Sequence, residues 1–146
     1  MLDDELQKNF RDLTNAPDTV RAQHAEHADE VIDSWGDTDA FRTAARRTES
    51  YSKEDWAKIE GERAQTEATM LRLFTAQAKP DSEASMDGAE AMRLHIDRWY
   101  YICPKPMHAA LADMYESDER FRAHFDGHAP GLAAFVAEAI RANTAR

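Results

Sequence analysis

A chain of 146 residues is long enough to bury about two thirds of its unfolded surface as one domain, with no need of a metal or disulfide. Its 28 acidic and 18 basic side chains leave a formal net charge of −10, which excludes a chain that grips nucleic acid or an anionic membrane through clustered Lys and Arg. The single cysteine, Cys103, forbids an intrachain disulfide and points to a reducing, cytoplasmic location.

Only 5 glycines and 5 prolines punctuate the chain, and they fall between runs rich in Ala, Glu, Arg, Met and Leu, so the sequence predicts an all-α fold. Residues 1–16 offer Leu2, Leu6, Phe10 and Leu13 among polar neighbours and read as a weak helix or a loose segment ended by "NAPD". They lack the long apolar run of a signal peptide or a membrane span. The domain division read from the sequence is therefore a weakly ordered segment over residues 1–17 and a helical domain over residues 18–146.

In residues 18–35, Val20, His24, His27, Val31 and Trp35 recur at three-to-four-residue spacing on one helix face, and Gly36 closes the segment. "TDAFRTAARRTESY" predicts a shorter helix behind a Thr or Asp cap, whose Arg42, Arg46 and Arg47 form a solvated face. "SKED", with Ser52 and Asp55 in the places of a capping box, opens a long helix that Lys79-Pro80 should stop. Its large apolar groups are Trp56 and Ile59 at one end and Met70, Leu73 and Phe74 at the other. Arg63, Thr66 and Glu67 fill the middle, which is not ordinary core.

The next helix starts at Asp81 or Ser82 and carries Met86, Ala89, Met92, Ile96, Trp99 and Tyr100 on one stripe, with Cys103 and Met107 next in the series. Pro104 and Pro106 interrupt it, and neither can donate to the carbonyl four residues before it. Two orphan carbonyls in a dry interior would each cost about 1–3 kcal/mol unless a donor reaches them. "MHAALADMY" resumes a helix, Ser117-Asp118-Glu119 caps another, and Pro130 fits the first turn of a last helix with Leu132, Phe135, Val136, Ala139 and Ile140 on its apolar face.

No constellation supports catalysis. The carboxylates of an acidic helical chain lie mostly on solvated faces, and none is marked as one of a buried pair. The pairs His24/His27 and His124/His128 have spacings at which two imidazoles can meet one ion, but a stable site needs three or four ligands, so no metal and no cofactor is assigned. Cys103-Pro104 has the form of a thiolate haem ligand, a dipeptide common by chance. The Met and aromatic stripe is either plain core or the wall of a cleft; the polar middle of the long helix and the proline-broken segment favour the cleft.

The motifs "WGDTDAFRTAARRTESYSKEDW", "PDSEASMDGAE", "CPKPMH", "ADMYESDERF" and "PGLAAFVAEAIRAN" occur in the order and spacing of the TipAS-type antibiotic-recognition domain, which they resemble over residues 31–143. That domain is the effector half of some MerR-type bacterial transcription activators. The resemblance implies a single globin-like domain of about six or seven helices around a cleft for bulky, peptide-like antibiotics such as thiopeptides, and no enzyme. In full-length regulators of the family a winged-helix DNA-binding domain and a dimerising coiled coil precede this domain. DNA contact and homodimerisation are therefore expected from those parts and not from these residues. The candidate ligand-binding residues are Trp35, Met70, Phe74, Met86, Met92, His95, Ile96, Trp99, Tyr100, Cys103, Met107, His108 and Tyr115, with His95, His108 and the orphan carbonyls as polar anchors. Thiopeptide binders of the family capture dehydroalanine with a cysteine two helical turns after the position of Cys103. That place holds Ala110, so the expected binding is non-covalent. The alternative is a stand-alone protein of the same fold that confers resistance by sequestering the drug.

Overall fold

The computed structural model describes residues 15–18, 21 and 38–146. Most of the segment expected over residues 1–17, and most of the helix expected over residues 18–35 with Trp35 and the His24/His27 pair, lie outside the described residues. Every regular element among the described residues is a helix: α1 Asp39–Glu49, α2 Lys53–Thr75, α3 Glu83–Trp99, α4 Lys105–Ser117, α5 Glu119–Asp126 and α6 Leu132–Ala145.

The polar residues that mark the helix starts in the sequence do cap them. Thr38 Oγ1 accepts from the Phe41 amide at 3.1 Å to open α1. Ser52 and Asp55 form the reciprocal box, each side chain accepting the other's backbone N–H at 3.1 and 3.0 Å. Ser82 Oγ takes the Ser85 amide at 3.2 Å, and Asp118 takes that of Arg120 at 2.9 Å.

Three boundaries differ from the sequence reading. α2 stops at Thr75, ahead of Lys79-Pro80, because the Ala78 amide returns to the Leu73 carbonyl and that of Gln77 to Phe74, both at 3.0 Å. These bonds form a Schellman closure with Gln77 at φ 63°, a left-handed conformation usually given to glycine. Gln77→Gly should therefore raise stability by about 1 kcal/mol, read as a higher urea midpoint with an unchanged slope.

The second difference concerns the prolines. α3 ends at Trp99, several residues before Pro104, which is the N-cap of α4 with φ −67° and ψ 162°, while Pro106 sits in the first turn of α4. First-turn amides have no intrahelical acceptor, so the prolines begin a helix and do not break one. In the third, Pro130 lies outside α6, whose N-cap is Gly131 at φ 93°. The Ala133 amide in that first turn donates to Asp126 Oδ1 at 3.0 Å, a side chain from the end of α5.

The described chain divides into two compact units. The first takes the described residues up to Gly61 together with Ile96–Ile102. Its core joins Ala16, Trp56 and Ile59, with Tyr51, Trp99 and Tyr100 packed against them. The second takes Glu62–His95 and Cys103–Arg146. α6 is its central helix: Leu132, Ala133, Phe135, Val136, Ala137, Ala139, Ile140 and Asn143 are all buried, a wider apolar surface than a single stripe. Met70, Ala89, Met92, Ala112 and Phe125 complete that core.

Candidate functional site

The end of α3 is finished by side chains of the same unit. Arg47 Nη1 donates to the Asp97 carbonyl at 2.7 Å and reaches that of Arg98 at 3.4 Å. The Tyr51 hydroxyl donates to the Trp99 carbonyl, and the Tyr51 ring stands edge-on to Trp99 and Trp56 at 5.5 and 5.8 Å between centroids. Burial raises the Tyr51 pKa, as does the charge of Asp55, against the opposing charge of Arg47, so the phenol remains a donor. In the second unit the Cys103 carbonyl accepts from Arg93 Nη1 at 2.9 Å. The carbonyls of Asp97, Arg98, Trp99 and Cys103 thus have donors within the protein, while Tyr100 and Ile102, four residues before the two prolines, lie beyond the end of α3 and are not part of a broken helix. Sequence reading missed Arg47 and Tyr51 because both lie some fifty residues from their acceptors.

The polar middle of α2 has an internal explanation too. Glu67, with a side chain only 13 % exposed, accepts from Arg63 Nη1 at 3.0 Å and is bonded to His124 Nε2 at 2.8 Å, while His128 Nε2 lies 3.7 Å from its other oxygen. Burial pushes the Glu67 carboxyl up, but the hydrogen bond and charge of His124 together with Arg63 outweigh it and leave the group below the usual carboxylate range. The same hydrogen bond holds His124 above the usual histidine value, against burial. Helical spacing of His124 and His128 marks the pair in the sequence, but nothing there names Glu67 as the group they face.

A second, partly buried network surrounds Arg93. Its guanidinium meets Glu90 through two bonds of 2.7 and 2.6 Å, and Asn143, 1 % exposed, donates to Glu90 at 3.0 Å. The Arg93 hydrogen bond, with those of Asn143 and nearby charges, draws the Glu90 carboxyl down to about 2 against burial. Beside this network, His108 is 1 % exposed and neither ring nitrogen has a hydrogen-bond partner. Burial, then the charge of Arg93, lowers its pKa to about 4.

The candidate ligand-binding residues fall into two groups by exposure. Met70, Met92, Cys103 and His108 are buried, whereas Phe74, Met86, His95, Ile96, Trp99, Tyr100, Met107 and Tyr115 are half-buried. Ile96, Trp99 and Tyr100 lie in the first unit and the others in the second. His95 Nδ1 is 3.2 Å from Glu62, which orients its ring. A groove of about 650 Å³ in the second unit is lined by Phe74, Gln77, Ala78, Pro80, Phe135 and Glu138; of the candidates it includes Phe74. The Cys103 thiol is fully buried, and Ala110 is exposed on α4. Native alkylation of Cys103 by iodoacetamide should be at least about tenfold slower than in urea, since inaccessible thiols are inert; equal rates followed by intact mass would contradict its burial.

Residues 27–143 match the model of the TipAS antibiotic-recognition domain. The chain belongs to the TipAS antibiotic-recognition domain family. Among solved structures it is similar to TipAS from Streptomyces lividans in complex with nosiheptide, with 39 % identity and a TM-score of 0.78 over 100 % of this chain and 96 % of that one. Its relatives include the HTH-type transcriptional activator TipA of Streptomyces coelicolor, 43 % identical over 121 residues, which are 83 % of this chain and 48 % of TipA. The HTH-type transcriptional activator mta of Bacillus subtilis is 34 % identical over 123 residues, 83 % of this chain and 46 % of mta. The chain thus spans about half the length of the curated relatives it matches. The TipAS family is one of antibiotic recognition and not of catalysis, and among the described residues no helix is long and apolar enough to cross a membrane.

Proposed function

We propose that this chain is a ligand-sensing effector domain that binds a bulky, peptide-like antibiotic without a covalent bond. The observation that carries this reading is the likeness, along its whole length, to TipAS in its nosiheptide complex. The orphan carbonyls of a helix broken by Pro104 and Pro106 no longer contribute to it, because α3 ends at Trp99 and the prolines begin α4, and the polar gap in α2 has partners inside the protein. What this chain supplies is apolar contact area: the half-buried Ile96, Trp99 and Tyr100 in the first unit and Phe74, Met86, Met107 and Tyr115 in the second, with His95 held by Glu62 as a polar anchor. Non-covalent binding is supported by the buried Cys103 and by Ala110 at the exposed position where the family's capturing cysteine is expected.

As in the HTH-type activators it resembles, the domain would report its ligand to a DNA-binding part of a cytoplasmic, dimeric regulator, a part that lies outside these residues. A thermal-melt panel tests the sensing role. Nosiheptide or another thiopeptide at about 100 times its dissociation constant should add about 2.7 kcal/mol, a rise of several degrees in a domain of this size. A panel of thiopeptides, other macrocyclic peptides and polyaromatic antibiotics that moves the transition nowhere would refute it.

A further inference from the structure

We propose that Glu67, His124 and His128 form a binding site for a divalent transition-metal ion of the zinc type. The donor atoms of the three residues all lie within 4.8 Å of one another and come from two separate parts of the second unit, the middle of α2 and the end of α5 with its following turn. Both imidazoles present Nε2 to one carboxylate, at 2.8 and 3.7 Å. The rings stand almost perpendicular, at 89° with centroids 5.7 Å apart, so their lone pairs can converge without the rings colliding.

A tetrahedral ion with bonds of about 2.0–2.1 Å holds its donors about 3.3 Å apart, so the cluster must contract by about 1.5 Å. His128 can supply that movement: it lies two residues beyond Asp126, the last residue of α5, just past the C-cap Gly127, and its side chain is 45 % exposed. Glu67, 13 % exposed, is the fixed member, and Arg63, bonded to its Oε2, neutralises part of its charge and leaves Oε1 for the ion once His124 yields its proton. Two imidazoles and one carboxylate suit zinc, nickel or copper ions better than calcium or magnesium, which prefer all-oxygen shells. The fourth position falls to water or an external ligand. Bound metal would fasten the end of α5 to α2.

The test is calorimetric titration of zinc chloride into the chelator-treated chain and into the His124→Ala and His128→Ala variants. Both side chains are more than two fifths exposed, and the unliganded melting curves verify that the variants fold. Saturable binding at one equivalent is expected for the wild type, weakened at least about tenfold in each variant, since even outer-shell losses cost that much. Zinc should also shift the ring nitrogen signals of His124 and His128. Absence of saturable binding, or an affinity unchanged in both variants, would overturn the site, and either result leaves antibiotic binding untouched.

Discussion

His108→Leu should make the protein more resistant to acid by about 3 kcal/mol. In the folded chain burial and the charge of Arg93 lower the His108 pKa to about 4, against 6.5 for an ordinary histidine. Its neutral form is therefore the one the fold prefers. The stability tied to that preference is fully present above about pH 6.5, declines as pH falls towards 4 because the unfolded chain takes up the proton first, and is flat below. The span of the shift corresponds to about 3 kcal/mol. His124 acts in the opposite sense: its pKa is raised by Glu67, so its contribution is present below the ordinary histidine value and is lost as pH rises through the folded one. The quantity to read is thus the difference between wild type and variant in urea unfolding free energy, measured from pH 7.5 to 4.5. It should change by about 3 kcal/mol across that range. At pH 7.5 the variant should equal or exceed the wild type, because leucine removes two ring nitrogens whose buried, unbonded state costs about 1–3 kcal/mol. Parallel pH curves would show that His108 has partners or solvent after all.

Trp56→Ala should cost about 3–5 kcal/mol, the usual loss when a fully packed aromatic is truncated. Trp56 is 2 % exposed at the centre of the first unit, and Tyr51 leans on it edge-to-face while donating to the end of α3. Emptying that place removes contact area and loosens the ring that caps Trp99, so amide exchange at the end of α3 should accelerate as well. Ile102→Ala is the control: the side chain is 70 % exposed, and its loss should stay within about 0.5 kcal/mol. A Trp56 variant as stable as the Ile102 variant would contradict the described core.

The fold was legible in the sequence wherever a local rule decides it. The Ser52/Asp55 box reads directly from residue type and spacing, Thr38, Ser82 and Asp118 are each among the two or three cap residues that the sequence offers, and the apolar periodicity of α6 marks the helix that proves central. Helix ends were less legible. Gln77 closes α2 in a left-handed turn without the glycine that would announce it, and Pro104 and Pro106 mark the start of α4 where they look like a break in α3. The site was the least legible part, because polar satisfaction is a tertiary property. Arg47 and Tyr51 reach acceptors far along the chain, and Glu67 gathers Arg63, His124 and His128, so the polar middle of α2, which resembles a vacancy in the sequence, is filled in space. Family resemblance spans that gap, since ordered motifs over most of the chain carry tertiary information that periodicity lacks.

A backbone amide NMR titration with nosiheptide, followed by intact-mass spectrometry of the same sample, bears most directly on non-covalent antibiotic recognition by this chain. Saturable movement of amide signals that includes the end of α3 near Trp99 and Tyr100, with the protein mass unchanged once the antibiotic is removed, is the expected result. Amide signals that stay in place at saturating antibiotic, or a mass increased by one antibiotic molecule on Cys103, would contradict it.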